Sequence, residues 1–147
     1  MGIAVEDIEV GKVYTTRGRT IGEGDITLYA GLVGDWTPIH MDDHFARQQG
    51  WPARIAHGTL PMNMAIGLFA QMGVLDDSVI GALGVEWNFR GPVAIGDTVH
   101  ADVTVLEKRL TSKPDRGIVK FGFAVRTQAG ATVQEGSLTV MMKTRDG

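Results

Sequence analysis

"TLPMNMAIGLFAQM" (residues 59–72) is apolar on nearly every side of a helical wheel. A helix of that composition is one its surroundings bury. Thr59 is placed to cap its N-terminus, and Pro61 falls in the first turn, where no intrahelical donor is lost. The apolar run is interrupted by Gln71 and is far too short to span a bilayer. What encloses it must be read from the flanking chain.

Downstream the pattern changes to a period of two. Leu83, Val85, Trp87 and Phe89 alternate with small or polar residues, as do Val99, Ala101, Val103 and Val105, then Val119, Phe121, Phe123 and Val125. Each run predicts a strand with one buried face. Residues 111–117 ("TSKPDRG") and 128–130 ("QAG") read as hairpin connections. In the last strand the apolar set moves from Val133 to Leu138, Val140 and Met142, a change of parity that predicts a bulge across Glu135–Gly136. Upstream, residues 22–34 carry Ile26, Leu28, Tyr29, Leu32 and Val33 at helical spacings, with Glu23 and Asp25 in the first turn. Gly34 and Pro38 stop that helix. A short second helix over "HFARQQ" begins near Asp42 or Asp43. The layout is α+β, a largely antiparallel sheet wrapped around one very apolar helix.

With 147 residues the chain is the length of one domain. Its 44% hydrophobic and 21% charged residues suit a folded, soluble protein. A net charge of -3 and the lack of any Lys/Arg run give no footprint for nucleic acid or a membrane surface. The first residues, "MGIAVEDIEV", lack the layout of a signal peptide, so a cytoplasmic setting is expected. With no cysteine, disulfides, thiolate metal sites and a cysteine nucleophile are excluded.

"GLVGDWTPIH" (residues 31–40) holds Asp35 and His40 five positions apart. On one continuous helix their side chains would diverge by about 140° at ~3.6 residues per turn. A chain reversal after Gly34 would let both face one point, as a general acid–base pair. The helix C-terminus would also raise the proton affinity of Asp35. Equally, the two residues could only cap and turn a loop. A second stretch favours chemistry: "ARIAHGTLPMN" (residues 53–63) puts the Gly58 and Thr59 amides at the start of the apolar helix. Free N–H groups there stabilise a developing oxyanion, and glycine admits a ligand close to the backbone. An acid–base pair beside an oxyanion site fits addition or elimination of water next to a carbonyl.

At these residues the chain resembles the MaoC-like, or hydratase 2, family. "YAGLVGDWTPIHMDDHFA" (29–46) is similar to the family's hydratase motif, "RIAHGTL" to its second signature, and "FRGPVAIGDTV" (89–99) to its strand–turn segment. The resemblance implies a hot-dog fold and a homodimer, or a higher even-numbered assembly, that joins two sheets. It implies (R)-specific, reversible hydration of trans-2-enoyl-CoA thioesters, with coenzyme A part of the substrate and no separate cofactor. Asp35 and His40 would hold and activate one water that adds syn, and the Gly58 amide would bind the thioester oxygen. Thr37 departs from the family's usual Asn, keeping an oxygen but losing an amide's donors. Thr59 and Asn63 complete the expected substrate-binding set, although Asn63 could equally make a core hydrogen bond. Two alternatives stand beside this reading. One is a non-catalytic acyl-thioester-binding protein or subunit; the other is a dehydratase acting on acyl-carrier-protein thioesters or on branched or dicarboxylic enoyl-CoA.

Other residues fit bland roles. His44 follows His40 by four but does not form the H-E-x-x-H pattern, so no metal is implied. His57 reads as packed or hydrogen-bonded beside the turn. Trp36, Trp51 and Trp87 read as packing residues before tunnel residues. Lys108, Lys113 and Arg116 flank a hairpin and could otherwise meet coenzyme phosphates.

Overall fold

The computed structural model describes residues 2–147. Two short strands, β1 (Val13–Thr15) and β2 (Arg19–Thr20), precede helices α1 (Glu23–Val33), α2 (Pro38–Met41), α3 (Asp43–Gln48) and α4 (Thr59–Ala70). Four long strands follow: β3 (Val79–Phe89), β4 (Thr98–Leu110), β5 (Arg116–Thr127) and β6 (Thr132–Lys143). One antiparallel sheet runs β1-β4-β5-β6-β3, with β2 also on β4. Helix α4 packs on β4 and β5, so the α+β layout holds.

The core is built where the two periodicities meet. Phe69 of α4 is fully buried, with Phe121 at 5.0 Å, Phe123 at 5.8 Å and Tyr14 at 5.7 Å between ring centres. Truncating such a residue to alanine typically costs about 3–5 kcal/mol. Strand β5 buries every second residue, including Val119, Phe121, Phe123 and Val125, as its alternation predicts.

Three expectations need correction. Helix α4 is buried on one side only: Leu60, Pro61, Met64, Ala65, Leu68 and Phe69 face the core, while Thr59, Asn63 and Ala70 are exposed. The bulge in β6 lies at Val133 and not at Glu135–Gly136, because Val125 pairs with Gln134 while Arg126 pairs with Thr132. Gln134 and Gly136 therefore share the inward parity of Leu138. A polar residue and a missing side chain concealed it. Finally, β3 has no fully buried face, Trp87 being half-buried against the core. Leu83, Val85 and Phe89 are 53%, 47% and 56% exposed, because β3 is an edge strand joined to β6 alone.

Candidate functional site

Helix α1 ends where Gly34 adopts φ 79° and its N–H bonds the Ala30 carbonyl at 2.8 Å. A positive φ suits glycine, so the stop is sharp. Pro38 then opens α2 at its first position, where its fixed φ is preorganised for a helix. Asp35 and His40 thus belong to different elements, His40 lying within this one-turn helix. Their side chains converge, with Asp35 Oδ2 3.9 Å from His40 Nε2.

Each member of the pair is held by a different partner. Asp35 Oδ1 accepts bonds from Thr37 Oγ1 at 2.5 Å and Thr37 N at 3.1 Å. The Thr37 hydroxyl first, and its backbone N–H second, hold the Asp35 carboxyl below its ordinary value of 3.8. This reverses the effect expected from the helix terminus. Contact hydrogen bonds to the charged form outweigh a diffuse dipole. His40 donates Nδ1–H to the Ile55 carbonyl at 2.8 Å, an assignment forced because a carbonyl only accepts. In that tautomer the Nε2 lone pair faces Asp35.

The opposite wall is backbone. Gly58 caps α4 with φ -53° and ψ -38°, and Thr59, expected as the cap, is the first helical residue. Pro61 explains the geometry at this start. It has no N–H to offer the His57 carbonyl four residues back, which accepts Leu60 N at 2.9 Å instead. In the planar 57–58 peptide the Gly58 N–H points the other way. Among the described residues it meets no acceptor, and Gly58 is exposed. The Thr59 hydroxyl pairs with Tyr29 Oη at 2.6 Å, and Asn63 donates to the same Tyr29 oxygen at 3.2 Å. Asn63 and Thr59 are therefore drawn to one side of the helix start by a tyrosine that sequence reading treated as an apolar helix residue.

Two further residues complete the arrangement. His57, 3% exposed, donates Nε2–H to the Asp35 carbonyl at 2.9 Å and stacks on His40, ring centres 4.0 Å apart at 25°. Gln134, 2% exposed, donates to the Gly58 carbonyl at 2.8 Å and accepts from Trp87 Nε1 at 2.9 Å. No local motif announces Gln134. Only the corrected parity of β6 points it inward.

Asp35, His40 and His57 each bring a ligand-type atom within 4.8 Å of the others, and His44 is not among them. Their geometry is that of two stacked imidazoles beside a carboxylate, each ring hydrogen-bonded to a backbone carbonyl. Lys108 cannot reach outward to phosphates, since its ammonium serves the Val5, Glu6 and Ile8 carbonyls at 3.1, 3.2 and 2.6 Å. Arg116 is paired with Asp115. Two cavities adjoin the site. One of about 420 Å³ is lined by His40, Trp51, Gly58 and Phe89, and one of about 310 Å³ between α1 and α4 by Leu28, Tyr29, Asn63 and Met64. Trp36 lies on the surface, 56% exposed, and Trp87 packs at 5.5 Å from Phe123.

Comparison with known proteins finds relatives of the sequence and of the fold. Residues 7–126 match the model of the MaoC like domain. The chain is 37% identical over 142 residues to the (R)-specific enoyl-CoA hydratase of Rhodospirillum rubrum, covering 95% of this chain and 92% of that protein. The unliganded R-hydratase PhaJ1 of Pseudomonas aeruginosa superposes with a TM-score of 0.83 at 29% identity, over 98% of this chain and 88% of that one. A conserved hypothetical protein of Mycobacterium tuberculosis with a double hot-dog fold shares the fold, with a TM-score of 0.85 at 20% identity, over 97% of this chain and 44% of that one.

Proposed function

The chain belongs to the MaoC-like domain family, and from that premise we propose that it hydrates trans-2-enoyl-CoA thioesters reversibly and with (R) specificity. The observation that carries this reading is the 3.9 Å gap between Asp35 Oδ2 and His40 Nε2, with His40 lining the same cavity as Gly58, whose N–H meets no acceptor among the described residues. The gap is too wide for a direct hydrogen bond, yet one water can reach both atoms at about 2.8 Å. Both atoms are acceptors, so they take both water protons and turn the oxygen lone pairs toward the substrate.

Addition then proceeds in two balanced steps. The water oxygen bonds to C3 while the C2–C3 π electrons move onto the thioester oxygen, and one water proton passes to the pair. The Gly58 N–H stabilises the enolate oxygen. Asp35, held low by Thr37, is the weaker base, so His40 Nε2 takes the proton and Asp35 steadies the resulting cation. That proton is then delivered to C2 as the carbonyl re-forms. Thr37, in place of the usual Asn, still holds the Asp35 carboxylate through its hydroxyl and backbone N–H. Asn63 and Tyr29 line the cavity between α1 and α4, Thr59 is hydrogen-bonded to that tyrosine, and the two cavities suit a substrate with an acyl arm and a thioester arm.

A homodimer, or a higher even-numbered assembly, is part of the proposal. It is supported by the unpaired edge of β3 and the exposed Leu83, Val85 and Phe89 along it, with Leu28 and Leu32 exposed on α1. No helix among the described residues is long and apolar enough to cross a membrane, and a cytoplasmic setting is the companion reading. The test is loss of enoyl absorbance with crotonyl-CoA and longer homologues. Loss of absorbance with formation of the (R)-3-hydroxyacyl product supports the reading, and no loss with any of them overturns it.

A further inference from the structure

Gly58 is the most consequential backbone position of the site and, as a glycine, the least constrained by itself. Its two flanking peptides are held from different directions. The 57–58 peptide is fixed by Leu60 N on the His57 carbonyl. The 58–59 peptide is reached by Gln134 Nε2, from a strand 76 residues away in sequence, at 2.8 Å. Gln134 Nε2 is the side-chain donor that holds the Gly58 carbonyl.

The amide orientation of Gln134 is set by chemistry. Trp87 Nε1–H can only donate and the Gly58 carbonyl can only accept, so Oε1 must face the indole and Nε2 the peptide. The indole is held in turn. A Cβ on Gly136 would lie 2.5 Å from Trp87 Cε3, so only glycine lets the ring settle over β6. Phe89, two residues along β3, closes on Gly58 from outside, where an added Cβ would stand 3.1 Å from its Cε1. A nearly fully buried glutamine with both ends matched thus joins the edge strand to the peptide beside the unpaired N–H.

We infer that Gln134 is a positioning residue of this site, aiming the Gly58 N–H at the thioester oxygen through the Gly58 carbonyl. The inference rests on the hydratase reading above. It lies outside residues 7–126, which the family model matches. A purely structural glutamine would affect melting and leave the carbonyl's environment unchanged.

Two measurements on the full chain separate these roles. The first is steady-state hydration of crotonyl-CoA by Gln134→Met, Gln134→Leu and Trp87→Phe, alongside thermal melting. Neither methionine nor leucine can donate to Gly58, so both Gln134 variants should lower kcat by about 10- to 100-fold with KM within about twofold. Trp87→Phe, a milder change at a half-buried ring, should lose less in kcat at the same KM. The second is the absorbance of bound hexadienoyl-CoA, whose red shift reports polarisation of the thioester carbonyl. The shift should shrink in the Gln134 variants and persist in Asp35→Asn. Folded Gln134 variants with kcat within twofold of wild type, or with the red shift intact, would overturn the inference alone. If both Gln134 variants fail to fold, Trp87→Phe decides by the same two readings. Wild-type protein inactive on every enoyl thioester would instead overturn the hydratase reading, and this inference with it.

Discussion

The two walls of the site are built by opposite means. The acid–base wall is side-chain chemistry on a short turn: Asp35 leans on Thr37 two residues away, and His40 on the neighbouring Ile55 segment. The oxyanion wall is backbone, and its supports arrive from far away, Gln134 through the sheet and Trp87 through the edge strand. On the first wall, residue identity is everything and the scaffold is local. On the second, the reacting atom is a backbone N–H that needs glycine only for access, and aim depends on long-range packing. Substitutions should therefore separate the two, changing chemistry on one side and geometry on the other.

The contrast is tested most severely by Asp35→Asn and His40→Gln. Each should lower hydration by about 10²- to 10⁴-fold, with a small change in melting temperature for Asp35→Asn because that carboxyl is 44% exposed. The double variant should be barely worse than either single one, as groups acting on one water are not additive. Full additivity in kcat would break the account of one shared water.

Gly58→Ala probes the other wall. Its methyl group meets the Phe89 ring at 3.1 Å, and that half-exposed ring can yield, so the fold should survive. Displacement of the thioester oxygen should cost on the order of 10²-fold in kcat. Retained turnover with a large fall in melting temperature would make Gly58 a packing necessity only.

A smaller effect belongs to Thr37→Val, which removes the hydroxyl that most strongly lowers the Asp35 pKa. Carbon-detected NMR titration of the Asp35 carboxyl should find its midpoint below 3.8 in wild type and higher in the variant. The sign for stability follows. A depressed carboxyl stabilises the fold above its unfolded pKa, and that contribution disappears as pH falls through the folded value. Thr37→Asn, which restores the family's usual residue, keeps a donor and should keep the midpoint low. An unchanged midpoint in Thr37→Val would break the assignment.

The least effect on chemistry is expected from Leu83→Lys on the edge strand. A charge there should shift the mass seen by light scattering toward the monomer, with little change in unfolding temperature, since Leu83 is 53% exposed. A monomeric wild type at micromolar concentration would remove the proposed assembly.

How much of this was legible beforehand follows from the same contrast. The acid–base wall could be read from six residues because its chemistry and turn signals are local: Gly34 stops, Pro38 starts, Asp35 and His40 react. Helix α2 was missed because one turn carries no periodicity to detect. The direction of the Asp35 shift was misread because a dipole is inferable from helix position, whereas the 2.5 Å Thr37 bond depends on a rotamer. Thr59 looked like a cap because threonine so often is one, yet Pro61 moved the start by one residue. Gln134 was invisible for another reason: the inward parity of β6 passes through a glutamine and a glycine, leaving no apolar trace. In β3, alternation in residues 83–89 marked a face correctly but said nothing about cover. Cover is decided by a strand's place in the sheet, which only the β3–β6 pairing reveals.

That uncovered strand has a consequence in mass action. Trp87 and Phe89, which steady the helix start, ride on the element the monomer leaves open. Pairing that edge with a second copy would stiffen both at once. Dilution would then act on the enzyme like a mutation of the oxyanion wall, leaving Asp35 and His40 chemically intact but loosening the peptide they work against. Specific activity would carry a concentration term, and the cell's abundance of this chain would set how well each molecule of it works.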